Sequence, residues 1–175
     1  IGRSYGIPTV ALRFFNVYGS RQALSNPYTG VAAIFSARAL NSRPPLLYED
    51  GAQRRDLVHV SDVVQAILLV VESEAAAYRV FNVGTGRSLS IREIAQIICD
   101  RIGRPGLAPE VVAGHRKGDI RHCFPDISAL RALGYAPRVR FEQGVAELVE
   151  WVRAQSYEDL TDRATAELRS RGLVS

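Results

Sequence analysis

Two short segments concentrate the polar chemistry of this 175-residue chain: Gln53-Arg54-Arg55-Asp56 and Arg116-Lys117-Gly118-Asp119. Each sets a guanidinium group close to a carboxyl. Arginine suits phosphate because its planar fork donates two parallel hydrogen bonds and keeps its charge near neutral pH. Two such forks would offset a diphosphate, whereas a carboxyl such as that of Asp119 accepts hydrogen bonds from hydroxyl groups. Asn16 follows Phe14 and Phe15 at the end of an apolar run, and its amide both donates and accepts.

The elements that must position these groups follow from local patterns. Thr9 to Phe14 is apolar and rich in β-branched residues after Gly6-Ile7-Pro8, which predicts a buried strand, with Tyr18-Gly19 closing the loop behind it. Val31, Ile34, Phe35 and Arg38 to Leu40 predict a helix ended by Asn41 and Pro44-Pro45, and Leu46 to Tyr48 a short strand. Arg55 to Val60 alternates apolar and polar; Ser61-Asp62 then offers an N-cap for a helix burying Val63, Val64, Ile67, Leu68 and Val71. Val80 to Val83 reads as a strand, and Ser90-Ile91-Arg92-Glu93 as a capping box opening a helix closed by Gly103. Glu110 to Ala113, a polar turn from His115 to Asp119, a helix from Asp126 to Gly134 and a last amphipathic helix over 141–153 complete the pattern. Residues 154–175 are charged and weakly periodic and read as a loosely docked tail.

Several chemistries are disfavoured. His115, His122 and Cys123 have no fourth residue spaced to complete a tetrahedral zinc site, so no metal is expected. His59, in an alternating strand, reads as structural. No Gly-x-Gly-x-x-Gly loop is present; Val83-Gly84-Thr85-Gly86 runs on into Arg87 and reads as a turn. No tyrosine is followed four positions on by a lysine, since the only lysine is Lys117.

Hydrophobic residues at 47% and charged residues at 23% are ordinary for a soluble globular protein, and no apolar run approaches a membrane span. The formal charge of +4 is compatible with any anionic ligand, but no lysine-rich stripe points to nucleic acid. With only Cys99 and Cys123, a disulfide framework is not expected and a reducing cytoplasm fits better.

Thr9-Val-Ala-Leu-Arg-Phe-Phe-Asn-Val-Tyr-Gly-Ser-Arg-Gln22, then Gln53-Arg-Arg-Asp-Leu-Val-His-Val-Ser-Asp62, then Gly114-His-Arg-Lys-Gly-Asp-Ile-Arg-His122, resemble the extended short-chain dehydrogenase/reductase family in order and spacing. That family comprises NAD-dependent nucleotide-sugar epimerases and dehydratases. The resemblance implies an α/β fold: the C-terminal part of a doubly wound, Rossmann-like architecture, with the last sheet strands and the small substrate-binding domain. Residues 1–22 would close the dinucleotide-binding domain. Residues 23–153 would form mainly the nucleotide-sugar domain with interleaved Rossmann elements, followed by the tail. The catalytic Tyr-x-x-x-Lys and the cofactor loop are expected upstream of Ile1, leaving this stretch inactive by itself.

By the same resemblance, Asn16 contacts the sugar or phosphate, Val31 approaches the nucleotide through its backbone, and the Tyr48 ring packs on the base. Arg55 and Arg116 hold the diphosphate, Asp119 the ribose diol, and Phe14 and Phe15 border the nicotinamide of NAD. Taken on residue type alone, Asn16 equally suits a turn cap, and Phe14, Phe15 and Tyr48 equally suit a core. The implied function is C4 epimerisation of a UDP- or dTDP-hexose by a homodimeric full-length enzyme, with dTDP-L-rhamnose as one narrower candidate. A 4,6-dehydratase and a non-catalytic sugar-nucleotide-binding module are the alternatives.

Overall fold

The computed structural model describes residues 1–23, 30–112, 114, 118–155, 166–167 and 170–171. After a single helical turn, α1 (Gly2–Tyr5), strand β1 (Ala11–Phe14) pairs in parallel with β6 (Val80–Val83), and β2 (Asn16–Tyr18) pairs in parallel with β5 (Leu57–His59). A third parallel pair joins β3 (Leu46–Tyr48) to β8 (Glu110–Val112). Two-residue β4 (Arg54–Arg55) lies between β7 (Leu89–Ser90), which is antiparallel to it, and β9 (His122–Cys123), which is parallel.

Two hydrophobic cores meet at the β2–β5 pair, because consecutive strand side chains point to opposite faces. Leu57 and Tyr18 enter a core built by helices α2 (Val31–Leu40), α4 (Ile91–Ile102) and α6 (Phe141–Ala154), together with Phe35, Leu47, Ile94, Ile98 and Leu148. Their neighbours Val58 and Val17 face a second core of Val63, Val70, Phe81, Val83, Leu130 and Tyr135, closed by α3 (Val60–Glu72) and the short α5 (Ser128–Arg131).

The expected capping box is present in α4: Ser90 Oγ accepts from the Glu93 N–H, the Glu93 carboxylate accepts from the Ser90 N–H, and Gly103 ends the helix at φ 82°. Four expectations need correction. The N-cap of α3 is His59, whose Nδ1 accepts from the Ser61 N–H at 3.3 Å. Asp62 is buried instead, where its two oxygens receive the backbone N–H groups of Arg138 and Val139. The inward face of α3 is Val63, Ala66 and Val70, whereas Val64, Ile67, Leu68 and Val71 are exposed. The helix is apolar nearly all round, and β5 and the Tyr135 segment cover only one side of it. Finally, β1 is an edge among the described residues, paired with β6 alone, so that Arg13 and Phe14 are exposed where a buried strand was expected. The helix expected from Asp126 shortens to α5, whose N-cap is Ile127; the Asp126 carboxylate before it accepts the Ser128 N–H at 2.8 Å. The proposed tail falls mostly outside the described residues.

Candidate functional site

The site grows from β4 and from the break between β4 and β5. Arg54 turns towards β7, where Nε donates to Ser88 Oγ at 2.9 Å and Nη2 to the Ser88 carbonyl at 2.6 Å. Alternation sends Arg55 the other way. Its Nη1 donates to the carbonyls of Arg54 and Arg121, at 2.9 and 3.0 Å, and its Nη2 to Asp119 Oδ1 at 2.7 Å. The Arg121 carbonyl also receives the Arg54 N–H, which starts the β4–β9 ladder that pairs Arg55 with Cys123. Strand β9, only two residues long, therefore carries Asp119 to Arg55 across 64 positions of sequence.

Asp56 interrupts the strand because its side chain is claimed by a neighbouring turn. It is fully buried, and its carboxyl accepts from the Thr85 N–H, the Thr85 hydroxyl at 2.8 Å and the Gly86 N–H at 2.7 Å. Burial pushes the carboxyl above the ordinary aspartate range, against the pull of those donors. Gly84 permits the approach, since a Cβ there would meet Pro125 and come 3.0 Å from Asp56 Oδ2. The Gly84-Thr85-Gly86 turn is thus filled from inside the protein, which explains physically why its Gly-x-Gly is no phosphate cradle.

Asn16 is joined to this break: its N–H donates to the Asp56 carbonyl at 3.2 Å, and it opens β2 opposite Leu57, at the joint between two strands rather than the end of one. Tyr48 ends β3, half-buried, and its carbonyl accepts from the amide of buried Gln53 at 2.9 Å, tying it to the residue before β4. Phe14, 49% exposed, and Phe15, whose N–H donates to the Val83 carbonyl, lie at the end of the β1–β6 pair. Val31 opens α2, half-buried against the first core. Arg116, His115 and Lys117 lie outside the described residues.

Sequence reasoning passed over Arg121. Its guanidinium bridges Glu49 and Asp50, at 2.6 Å each, and its hydrogen bond holds the Asp50 carboxyl below the usual range. No local pattern signals it: Arg121 lies before the two-residue β9, and its partners are about 70 positions away in the sequence. His59 is buried, caps α3, and its Nε2 lies 3.4 Å from Glu147 Oε2, in keeping with a structural part. Among the described residues no group of histidine, cysteine and acidic side chains is arranged to hold a metal, and Cys123 is a free thiol. What the arrangement offers is an anchored cationic fork, a carboxylate beside it, and an amide and an aromatic ring tied to the same backbone.

The model of the NAD dependent epimerase/dehydratase family matches residues 1–84. A dTDP-L-rhamnose 4-epimerase of Burkholderia thailandensis is 40% identical over 146 residues, covering 83% of this chain and 40% of that protein. The solved UDP-glucose 4-epimerase of Thermotoga maritima with UDP-glucose aligns at TM-score 0.78 and 37% identity, over 87% of this chain and 48% of the other. The UDP-N-acetylglucosamine 4-epimerase of Methanobrevibacter ruminantium, in complex with UDP-N-acetylmuramic acid, aligns at TM-score 0.81 and 36% identity over 89% and 49%. The chain thus spans less than half the length of each.

Proposed function

From the premise that this chain belongs to the extended short-chain dehydrogenase/reductase family of NAD-dependent nucleotide-sugar epimerases and dehydratases, we propose that it is the substrate-binding half of a nucleotide-sugar 4-epimerase. The observation that carries this is the meeting of Arg55 and Asp119, a diphosphate-type fork and a diol-type carboxylate brought together from distant segments. Arg55, with Arg116, would take the diphosphate; Asp119 would take the ribose hydroxyls, Tyr48 the base, Val31 a backbone contact, and Asn16 the sugar or its phosphate. Residues 1–22 would then complete a dinucleotide-binding domain and 23–153 the nucleotide-sugar domain.

NAD, when bound, would supply reversible hydride acceptance at C4 of the sugar, with Phe14 and Phe15 the residues of this chain that would border its nicotinamide. Its fit to this chain is partial. The exposed Phe14 ring suits the edge of a nicotinamide, with Phe15 behind it, but the Gly84–Gly86 turn is filled by Asp56 and holds no pyrophosphate. The exposed apolar side of α3 and the open edge of β1 support a second half packed there, which would bring the cofactor loop and the catalytic tyrosine. A homodimer belongs to the same reading. So does a reducing cytoplasmic setting, which the free thiols Cys99 and Cys123 support. No helix among the described residues is long and apolar enough to cross a membrane.

The test is a polypeptide of the relatives' length carrying this chain, incubated with UDP- and dTDP-hexoses. NMR should find the C4 epimer in at least one reaction. Unaltered sugar in all of them, with NAD bound, removes the epimerase assignment; a 4-keto-6-deoxy product assigns a dehydratase instead.

A further inference from the structure

Arg55 and Asp119 already satisfy each other, and their anchoring is unequal. Arg55 is 12% exposed at the side chain, and two of its hydrogen bonds end on backbone carbonyls of Arg54 and Arg121. Those acceptors belong to the β4–β9 ladder and cannot leave without opening it. Asp119 is 43% exposed, follows Gly118 at φ 82°, and meets Arg55 through a single oxygen. An anion approaching the fork therefore competes with the carboxylate and not with the carbonyls. What it displaces is a negative charge that stays nearby.

We infer that Asp119 is the resident counter-ion of Arg55 and a specificity-determining residue, releasing the fork to an anion only when the ligand also brings a diol to receive the carboxylate. This rests on the diphosphate reading above. A nucleoside diphosphate supplies a partner to both groups: phosphate oxygens replace Asp119 on Nη2, and ribose hydroxyls replace Nη2 on Asp119. Inorganic pyrophosphate supplies only the first half of the exchange. It leaves the carboxylate without its cation and facing a like charge, which disfavours the bound state. The site would thereby ignore free inorganic phosphates and respond to nucleotides.

The test is calorimetric titration of the relatives-length protein with inorganic pyrophosphate and, separately, with UDP and dTDP. Asp119→Asn should tighten pyrophosphate by about fivefold or more and weaken the nucleoside diphosphate, inverting the preference of the parent protein. Asp119→Ala should move in the same direction. Asp50→Asn serves as the control for the general field, because Asp50 is paired with Arg121 and its loss leaves Arg55 covered. It should change pyrophosphate affinity by less than about twofold. Unchanged or weaker pyrophosphate binding in both Asp119 variants, or an equal gain in Asp50→Asn, overturns the inference while leaving the diphosphate site standing. A parent protein that binds neither UDP nor dTDP removes the site reading and the inference with it.

Discussion

Gly144 lies directly beneath the Tyr18 hydroxyl, so close that a Cβ at 144 would come under 3.0 Å from both Tyr18 Oη and Val139 Cγ1. The Tyr18 ring cannot retreat, being wedged edge-on between His59 at 5.2 Å and Phe141 at 5.1 Å between centroids. Alanine is ordinarily the better helix former by about 1 kcal/mol. Here the clash decides, and Gly144→Ala should destabilise the fold by about 1–3 kcal/mol. A urea midpoint equal to or above that of the parent would show that the junction of α6 with β2 has slack.

Asp56 holds the Gly84–Gly86 turn against β4. Replacing it with alanine takes the acceptor from two backbone N–H groups at a part-buried turn, whereas the Thr85 hydroxyl keeps the Arg87 carbonyl as a partner; each unsatisfied group costs about 1–3 kcal/mol when fully buried and less here. The expected loss is about 2 kcal/mol, together with weaker nucleotide binding, since Arg55 is the adjacent residue. Thermal denaturation tests the first part. A melting temperature within a degree or two of the parent would count against the anchor.

Arg55→Ala and Arg116→Ala should each raise KM for the nucleotide sugar in the relatives-length enzyme, by an amount on the order of 2–5 kcal/mol where the contact is buried. Steady-state kinetics with the sugar that is turned over provides the check. If both constants stay at the parent value, the diphosphate is held elsewhere.

Acid stability should depend on two carboxyls with depressed pKa values. The Arg87 fork, donating to both Glu142 oxygens, holds that group below its ordinary value; the Ser90 N–H and hydroxyl do the same for Glu93. A group whose folded pKa is depressed stabilises fully above its unfolded value, about 4.3 for glutamate, and loses that contribution as pH falls through the folded value. Glu142→Gln and Glu93→Gln should therefore flatten the fall of stability between about pH 5 and 3. Denaturant titrations at several pH values should give slopes smaller than the parent's; parallel slopes would contradict the linkage.

The 175-residue chain on its own should not retain NAD tightly, because the one Gly-x-Gly turn is occupied by Asp56. Calorimetry of the isolated chain with NAD is the measurement, and micromolar binding would mean that another cradle exists.

Elements with a local signal were legible from sequence. The α4 capping box, the Gly103 stop and the β6 strand each follow from residues within one turn or one short run. Strands β7 and β9 were not legible, since two residues carry no periodicity; each exists only because β4 lies beside it. The meeting of Arg55 with Asp119 depends on β9, so residue types alone suggested their chemistry and only the resemblance suggested their proximity. The burying face of α3 was misread because valine, isoleucine and leucine occupy both sides, and periodicity cannot say which side this chain covers. His59 was missed as a cap because Ser61 and Asp62, commoner cap residues, follow it directly.

The ladders also bear on how the chain acquires its shape. Ala11 pairs with Val80, Asn16 with Leu57, Leu46 with Glu110 and Arg54 with His122, so each parallel pairing must close a long loop before any hydrogen bond rewards it. Among the described helices α4 carries a reciprocal cap, which favours its forming early from nearby residues. Folding should therefore be slow for a protein of this size, with α4 as the first ordered piece and the Arg55 fork among the last, assembled once β9 has come home.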